Sequence, residues 1–400
     1  MLKFFIENKI IILLFVVFII IYLIAINRGL ELLYVIAELC LATLILSLIA
    51  PYFNTLGITA SVKHTKYSNQ NQSIPITIEL YSSSFFAKYL LEAWLKTPFS
   101  TNKEHMFFIK TLGKQFTIQT ELLTDIRGVH QIGPLHIKTG FPLGLKVFKK
   151  VFENTKSEIV VFPIPVKVKK FPFSIDESST LQGDNKSKRK GGHDEFISVR
   201  EYKHGDSPRH IHWPTSAKKG ELIVREYQDT LSSSLTIILD LNKEFSVGLS
   251  SKETTLEYAI TIASSLAVYA LDMGYSVSIY GDGKEDIQLV DIKGSHNHTE
   301  ILKTLAYAKC DGDEDYLNAI EHFLSLQKRG GTLILFDNGS GKVAQKMDIY
   351  ASKFSKPILF DIDANSFKKE SFDKNFIIQH NSKHIKYSLK KGCDIKKVFN

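Results

Sequence analysis

The hydrophobic rhythm changes several times along the 400 residues. Ile10 to Ile26, IIILLFVVFIIIYLIAI, carries no charge, and a second apolar run extends from Leu32 to Ala50 and stops at Pro51. A helix needs about 20 mostly apolar residues to cross a hydrocarbon core of about 30 Å, so both runs, with their flanks, suffice. Only Asn27-Arg28-Gly29-Leu30-Glu31 separates them, which predicts a two-helix transmembrane hairpin over residues 1–55. A signal peptide is the alternative for the first run. Its apolar stretch exceeds the usual length of about 7–15 residues, and no small-x-small cleavage site precedes the second run. Glu38 is costly in lipid and is expected to face the other helix or to lie near an interface.

From about Leu56 to Val168 apolar residues recur at every second position, the period of a strand with one buried face. Ile74, Ile76, Ile78 and Leu80 form one such series and Phe116, Ile118, Thr120 and Leu122 another; similar runs occupy 58–64, 89–96, 105–112, 129–138 and 157–164. Short strands separated by polar turns predict an all-β, Ig-like sandwich over 56–168. Pro75, with no N–H to donate, suits an edge strand. Residues 171–192 are rich in Ser, Gly, Lys and Asp and read as a mobile loop.

After residue 233 short continuous apolar runs alternate with helical periods. Strands are predicted at 235–239, 275–280, 286–292, 332–336 and 357–361. Helices fall between them, one carrying Leu256, Ala259, Ile260, Ala263, Leu266, Ala267 and Ala270 on one face before Gly274. That alternation means an α/β doubly wound sheet over 233–400. Asp240, Asp337 and Asp361 directly follow apolar strands, at the sheet edge where such folds bind ligands; capping of the next helix is the structural alternative.

Charge and cysteine usage then narrow the class. The chain has 50 Lys+Arg against 42 Asp+Glu, a net +8, spread too diffusely to indicate nucleic acid. Lys186, Lys188, Arg189 and Lys190 form a basic loop without the interleaved aromatics that single-strand binders use. Cys40, Cys310 and Cys393 make no disulfide framework or metal spacing and fit a reducing compartment. Lys3 and Lys9 before the first run and Lys63 and Lys66 after the second outnumber Arg28 between them. The soluble regions are therefore expected in the cytoplasm, behind a plasma-membrane anchor.

Residues 169–232 contain the densest chemistry. Val-Arg-Glu-Tyr occurs at 199–202 and 224–227, and pairing of the two copies would present an Arg/Tyr face with cross-strand Arg–Glu contacts. Asp206 can cap a short helix with Pro208 in its first turn, ended by Trp213-Pro214, with Arg209 and Trp213 four apart and able to stack. His193, His204, His210 and His212 cluster without zinc-protease spacing. A Ser216/His212/Asp206 triad lacks any nucleophile elbow around the serine.

Gly192, Glu195, Phe196, Val199, Arg200, Tyr202, Gly205, Asp206, Arg209, Ile211, Trp213, Ser216, Ala217 and Lys218 resemble the signature of domain-of-unknown-function family fifty-eight, which is widespread in bacteria. Arg127-Gly128, Gly133-Pro134 and Pro142-Leu143-Gly144-Leu145 are similar to the family's R-G, G-P and D-P-F-G-L passage, with Phe141 where Asp is usual. The resemblance implies a C-terminal von Willebrand factor A-like domain and a role beside MoxR-type AAA+ ATPases and other membrane proteins, with no catalytic residues carried over. Arg200, Tyr202, Gly205, Asp206, Arg209, His212, Trp213 and Ser216 are thus interaction or structural candidates.

The von Willebrand factor A fold can bind Mg²⁺, and the corresponding candidates are Asp240, Asn242, Glu244 and Asp337, with Asp311, Asp313 and Asp315 in place of the usual Thr. Glu244 and the adjacent Lys243 alter that loop, and a metal-free domain is expected. Three functions follow: a non-enzymatic membrane adaptor, a Mg-dependent ligand-binding module, and an enzyme built on His204, His210, His212 and Asp206.

Overall fold

The computed structural model describes residues 9–99, 104–173, 195–202, 211–228, 234–326, 331–354, 356–369, 376–381 and 383–399. The chain divides into two compact units, Met1–Phe162 and Pro163–Asn400.

The first unit opens with α1 (Lys9–Arg28) and α2 (Glu31–Thr55), joined at Gly29, whose φ of +63° makes the turn easy for a residue without Cβ. Both helices are long and apolar enough to cross a membrane. Ala25, Ala37 and Leu44 are buried, and Tyr22 meets Tyr34 edge-to-face with ring centres 5.9 Å apart. Glu38 departs from one expectation. It is exposed and does not face α1, because small Ala37 beside it occupies the contact face.

Among the described residues ten strands follow: β1 (Ile58–His64), β2 (Tyr67–Asn69), β3 (Gln72–Ser82), β4 (Lys88–Lys96), β5 (Glu104–Leu112), β6 (Gln115–Thr124), β7 (Gly128–Ile132), β8 (Leu135–Thr139), β9 (Phe148–Phe152) and β10 (Ser157–Phe162). They form sheets ordered β1-β3-β6, β2-β10-β7 and β5-β4-β8-β9 around one apolar core. The period-two series behaves as expected: Ile74, Ile76, Ile78 and Leu80 are all buried, each stabilising by about 1.5–3 kcal/mol.

Two expectations about this unit need correction. The run 129–138 is two strands in two different sheets, because Gly133 at φ +89° and Pro134, which has no N–H, interrupt the ladder. Pro75 lies in the central strand of its sheet and not on an edge strand. It is tolerated because β1 pairs only as far as Ile76, so Pro75 has a partner, Glu121, on the β6 side alone.

The end of α2 is tied to the strands by Asn54, which is buried. Its Nδ2 donates to Tyr89 O at 2.7 Å and to Thr139 Oγ1 at 2.8 Å, and its Oδ1 accepts from Tyr89 N–H at 3.0 Å. Asn54→Ala leaves one buried and two partly buried polar groups without this partner and is expected to destabilise the first unit by about 2–3 kcal/mol. Thermal melting of the full chain in detergent micelles, with proteolysis of the 1–162 region as readout, measures the loss.

In the second unit, β11 (Glu195–Glu201) pairs antiparallel with β12 (Ile223–Gln228), with α3 (Trp213–Lys219) between them in sequence. The remaining strands are β13 (Ser234–Leu239), β14 (Ser276–Gly281), β15 (Ile287–Ile292), β16 (Thr332–Asp337), β17 (Lys356–Ile362), β18 (Phe376–His380) and β19 (Ile385–Leu389). They make one sheet, β15-β14-β13-β16-β17-β19-β18, parallel inside and antiparallel at both edges. Helices α4 (Thr255–Asp272), α5 (His298–Tyr307), α6 (Tyr316–Leu326) and α7 (Lys342–Ala351) cover it; α8 (Ala364–Phe367) and α9 (Ile395–Val398) are single turns. Thr254 caps α4 by accepting from Glu257 N–H at 3.2 Å.

Burial on both faces explains the continuous apolar runs. Leu235, Ile237, Ile334, Phe336, Ile358 and Phe360 point into the core that holds α4 and α5. Ile238, Leu333, Leu335 and Leu359 point into the one that holds α6 and α7. The reading of 171–192 as a loop fails at its start. Phe171 and Phe173 are core residues of this unit, packed on Tyr387, Phe399 and Tyr269. Residues 174–194, including His193 and the basic loop, lie outside the described residues.

Candidate functional site

Parallel strands end together, so their following loops converge at one edge of the sheet. After β13, Asp240 Oδ1 accepts from Asn242 N–H at 3.0 Å, and Asn242 Oδ1 accepts from Glu244 N–H at 2.9 Å. At the end of β16, buried Asp337 accepts from Asn338 N–H at 2.9 Å, from Ser340 Oγ–H at 2.6 Å and from Gly341 N–H at 3.0 Å. The 311–315 loop closes the third side. Gly312 N–H donates to Leu241 O at 3.0 Å and its carbonyl accepts from Lys243 N–H at 3.1 Å. A Cβ at Gly312 would stand 2.5 Å from Asp282 O, so only glycine permits this approach.

The result is a cleft of about 320 Å³ lined by Asp240, Glu244, Asp313, Asp315, Asp337 and Ser340, among others. Asp240 and Asp337 are therefore brought together, whereas Asp361 pairs with Lys386 at 2.7 Å on the neighbouring strand and does not line the cleft. Asp311 is also diverted, accepting from Lys284 N–H at 2.9 Å. Sequence reasoning missed Tyr316, whose buried hydroxyl donates to Ile238 O at 2.7 Å and accepts from Phe336 N–H at 3.2 Å, bolting α6 to two strands behind the cleft. Ser340 was legible only as part of the Gly-Ser-Gly turn after Asp337.

The donor set does not fit the divalent cation that the sequence resemblance implies. The carboxylate oxygens of Asp337 are engaged by the N–H and O–H groups of their own loop, and the Asn242 side chain spans Glu244 N–H and Glu314 O. Lys243 places an ammonium on the rim, paired with Asp313. Among the described residues no three His, Cys, Asp or Glu side chains form a metal-holding group.

The signature segment sits on the β11–β12 pair. Arg200 is opposite Val224 and Val199 opposite Arg225, so the two arginines fall on opposite faces and the expected common Arg/Tyr face does not form. The offset turns direct Arg–Glu opposition into diagonal positions. Trp213-Pro214 begins α3 where the sequence reading ended a helix. Proline is well placed in a first turn, where its missing N–H has no helical partner anyway, and the helix closes at Gly220 with φ +74°.

Trp213 is 64% exposed. Tyr202 N–H donates to Leu222 O at 2.9 Å, and Ile211 bridges Val224 on the other side of β12. Buried Ser216 donates to His212 O at 3.0 Å and accepts from Ile223 N–H at 2.9 Å, while His212 Nδ1 lies 2.6 Å from Thr215 Oγ1. The serine and histidine thus contact neighbouring groups and not each other's reactive atoms. Gly205, Asp206, Arg209, His204 and His210 lie outside the described residues, and of Arg200 only the backbone is described.

Residues 198–354, from β11 to just beyond α7, match the model of a family described as Protein of unknown function DUF58. That stretch carries the DUF58 match. The DUF58 match takes in Tyr202, His212, Trp213 and Ser216 together with Asp240 and Asp337 of the cleft. An uncharacterized protein, YeaD, of Bacillus subtilis (strain 168) is 26% identical over 200 residues, 50% of this chain and 47% of YeaD, so the match spans about half of that relative. Among solved structures, the CARDB domain of a Pyrococcus furiosus protein in complex with di-metal ions is 8% identical. That match covers 26% of this chain and 86% of that one, with a TM-score of 0.20. A cohesin module from a Clostridium perfringens family 33 glycoside hydrolase is 6% identical, covering 27% and 98%, with the same score. Likeness at that level carries no conclusion about this chain.

The electrostatics of the cleft are testable. Burial, reinforced by the like charges of Asp337 and Asp315, pushes the Asp240 carboxyl from 3.8 up to about 7, against the opposing pull of the Asn242 N–H. The folded chain then keeps a proton that the unfolded chain releases between those values, so stability falls as pH rises through that window. Asp240→Asn retains the acceptor for Asn242 and removes the penalty. It is expected to stabilise the second unit by about 3 kcal/mol near neutral pH and by almost nothing at about pH 4. Melting of both chains across that pH range in the presence of EDTA checks this.

Proposed function

We propose that this protein is a membrane-anchored, non-enzymatic adaptor that presents a von Willebrand factor A-like α/β domain, and also carries an Ig-like β domain, on the cytoplasmic side of the plasma membrane. The observation that carries the reading is the combination of two N-terminal helices long and apolar enough to cross a membrane with a C-terminal sheet whose carboxyl edge opens into a cleft. The basic residues flanking the hairpin support the orientation. A binding role, and not a catalytic one, is supported by Ser216 and His212, whose polar atoms serve α3 and β12. The proposed partner is a MoxR-type AAA+ ATPase, from the resemblance of the signature segment, in assembly, maturation or envelope-related processes.

Crosslinking the full chain in intact membranes is expected to enrich an AAA+ ATPase in the pellet that survives alkaline carbonate extraction. Recovery of no such ATPase from crosslinked membranes rejects the partnership; release of the chain by carbonate rejects the anchor. His212→Gln is expected to complement a deletion strain as well as the parent does, and failure despite normal abundance would count against a non-enzymatic role.

A further inference from the structure

Where α2 gives way to β1, a groove of about 540 Å³ opens between the last turns of the helix and the 83–87 turn. Leu46, Ile49 and Phe53 form its helical wall and Phe86 stands opposite them. These side chains are 47–76% exposed, so the groove opens outward along the flank of the helix and not into the β core. Its base holds Lys88, only 4% exposed. The ammonium donates to Phe53 O at 2.7 Å, one of the terminal carbonyls of α2, where the helix dipole favours a cation. That bond uses one of three N–H donors; the other two meet no acceptor among the described residues, and no carboxylate lines the groove. Burial pushes the Lys88 amine below its ordinary value, with no opposing carboxylate.

We propose that this groove seats an anionic phospholipid, with its phosphate on the Lys88 ammonium and its acyl chains along Leu46, Ile49, Phe53 and Phe86. The proposal rests on the reading of α2 as a membrane span. On that reading the helical wall of the groove already lies in hydrocarbon, and its mouth lies at the level of the headgroups. The adjoining turn supports this placement. Ser83 ties it to Gly57 through its N–H at 3.0 Å and its Oγ–H at 3.2 Å, which leaves Phe85 and Phe86 97% and 76% exposed beside the helix end. Two adjacent bare phenyl rings are unfavourable in water and suited to a bilayer interface. A buried ammonium needs a counter-charge. A lipid phosphate supplies it while the chains cover the apolar wall, and a free anion would leave that wall uncovered.

The full chain carrying Phe86→Trp, reconstituted in phosphatidylcholine vesicles, tests this by fluorescence quenching with a minor fraction of brominated lipid, corrected for Trp94 and Trp213 with the parent chain. Brominated phosphatidylglycerol is expected to quench with about fivefold higher apparent affinity than brominated phosphatidylcholine, the value of one lysine–headgroup contact. Lys88→Gln should abolish the preference and Lys88→Arg should keep it. Equal quenching by the two lipids, a preference that survives Lys88→Gln, or loss of the preference in inorganic phosphate overturns the lipid seat. Extraction of the reconstituted chain by carbonate overturns instead the membrane reading beneath it.

Discussion

The last turn of α2 is the point on which the first unit depends. A helix ends with carbonyls that have no partner in the helix, and here the chain leaves an apolar helix for a β core within three residues. Lys88 takes the Phe53 carbonyl and Asn54 spans β4 and β8 with three hydrogen bonds. Lys150 donates to Ile58 O at 2.7 Å on the far side of the junction. These long-range polar ties fix how the strands follow the hairpin, and they create both the buried ammonium and the groove above it.

In the second unit the governing constraint is burial of the sheet on both faces. Interior strands without a polar face can expose chemistry only at their ends, so carboxylates after β13 and β16 meet in one cleft. Neighbouring strands do not guarantee membership. Asp361 follows the same pattern of apolar run and terminal Asp, yet Lys386 on β19 neutralises it. Gly312 and Tyr316 show the converse, since neither is acidic and both position the loops that are.

The hairpin, the period-two strands and the α/β alternation were legible because each is a local pattern repeated over many residues. Three kinds of feature were not. Strand pairing was hidden in the Val-Arg-Glu-Tyr copies, where the observed register separates the arginines that identical sequence suggested would align. Helix polarity was hidden at Trp213-Pro214, since a proline can end one helix or begin the next, and only the carbonyl of Ile223 receiving His212 N–H settles which. Sheet extent was hidden at β18, a largely exposed edge strand, and at Phe171 and Phe173, two aromatics at the head of a polar segment that belong to a core over 60 residues further on.

Composition and periodicity alone determined that this chain has two helices fit for lipid, a β region with one buried face per strand and a C-terminal sheet covered on both sides. Those outcomes follow from how much apolar surface each segment must hide, which is a property of the segment itself. Tertiary structure alone decided which carboxylates share a cleft, that Ser216 is engaged by backbone and the His212 ring by the Thr215 hydroxyl, and that a lysine lies buried at the end of α2. The cleft and the buried lysine depend on partners tens of residues away in sequence and the serine and histidine on the turn that follows them, and the energy of a polar group is set by the partner it finds.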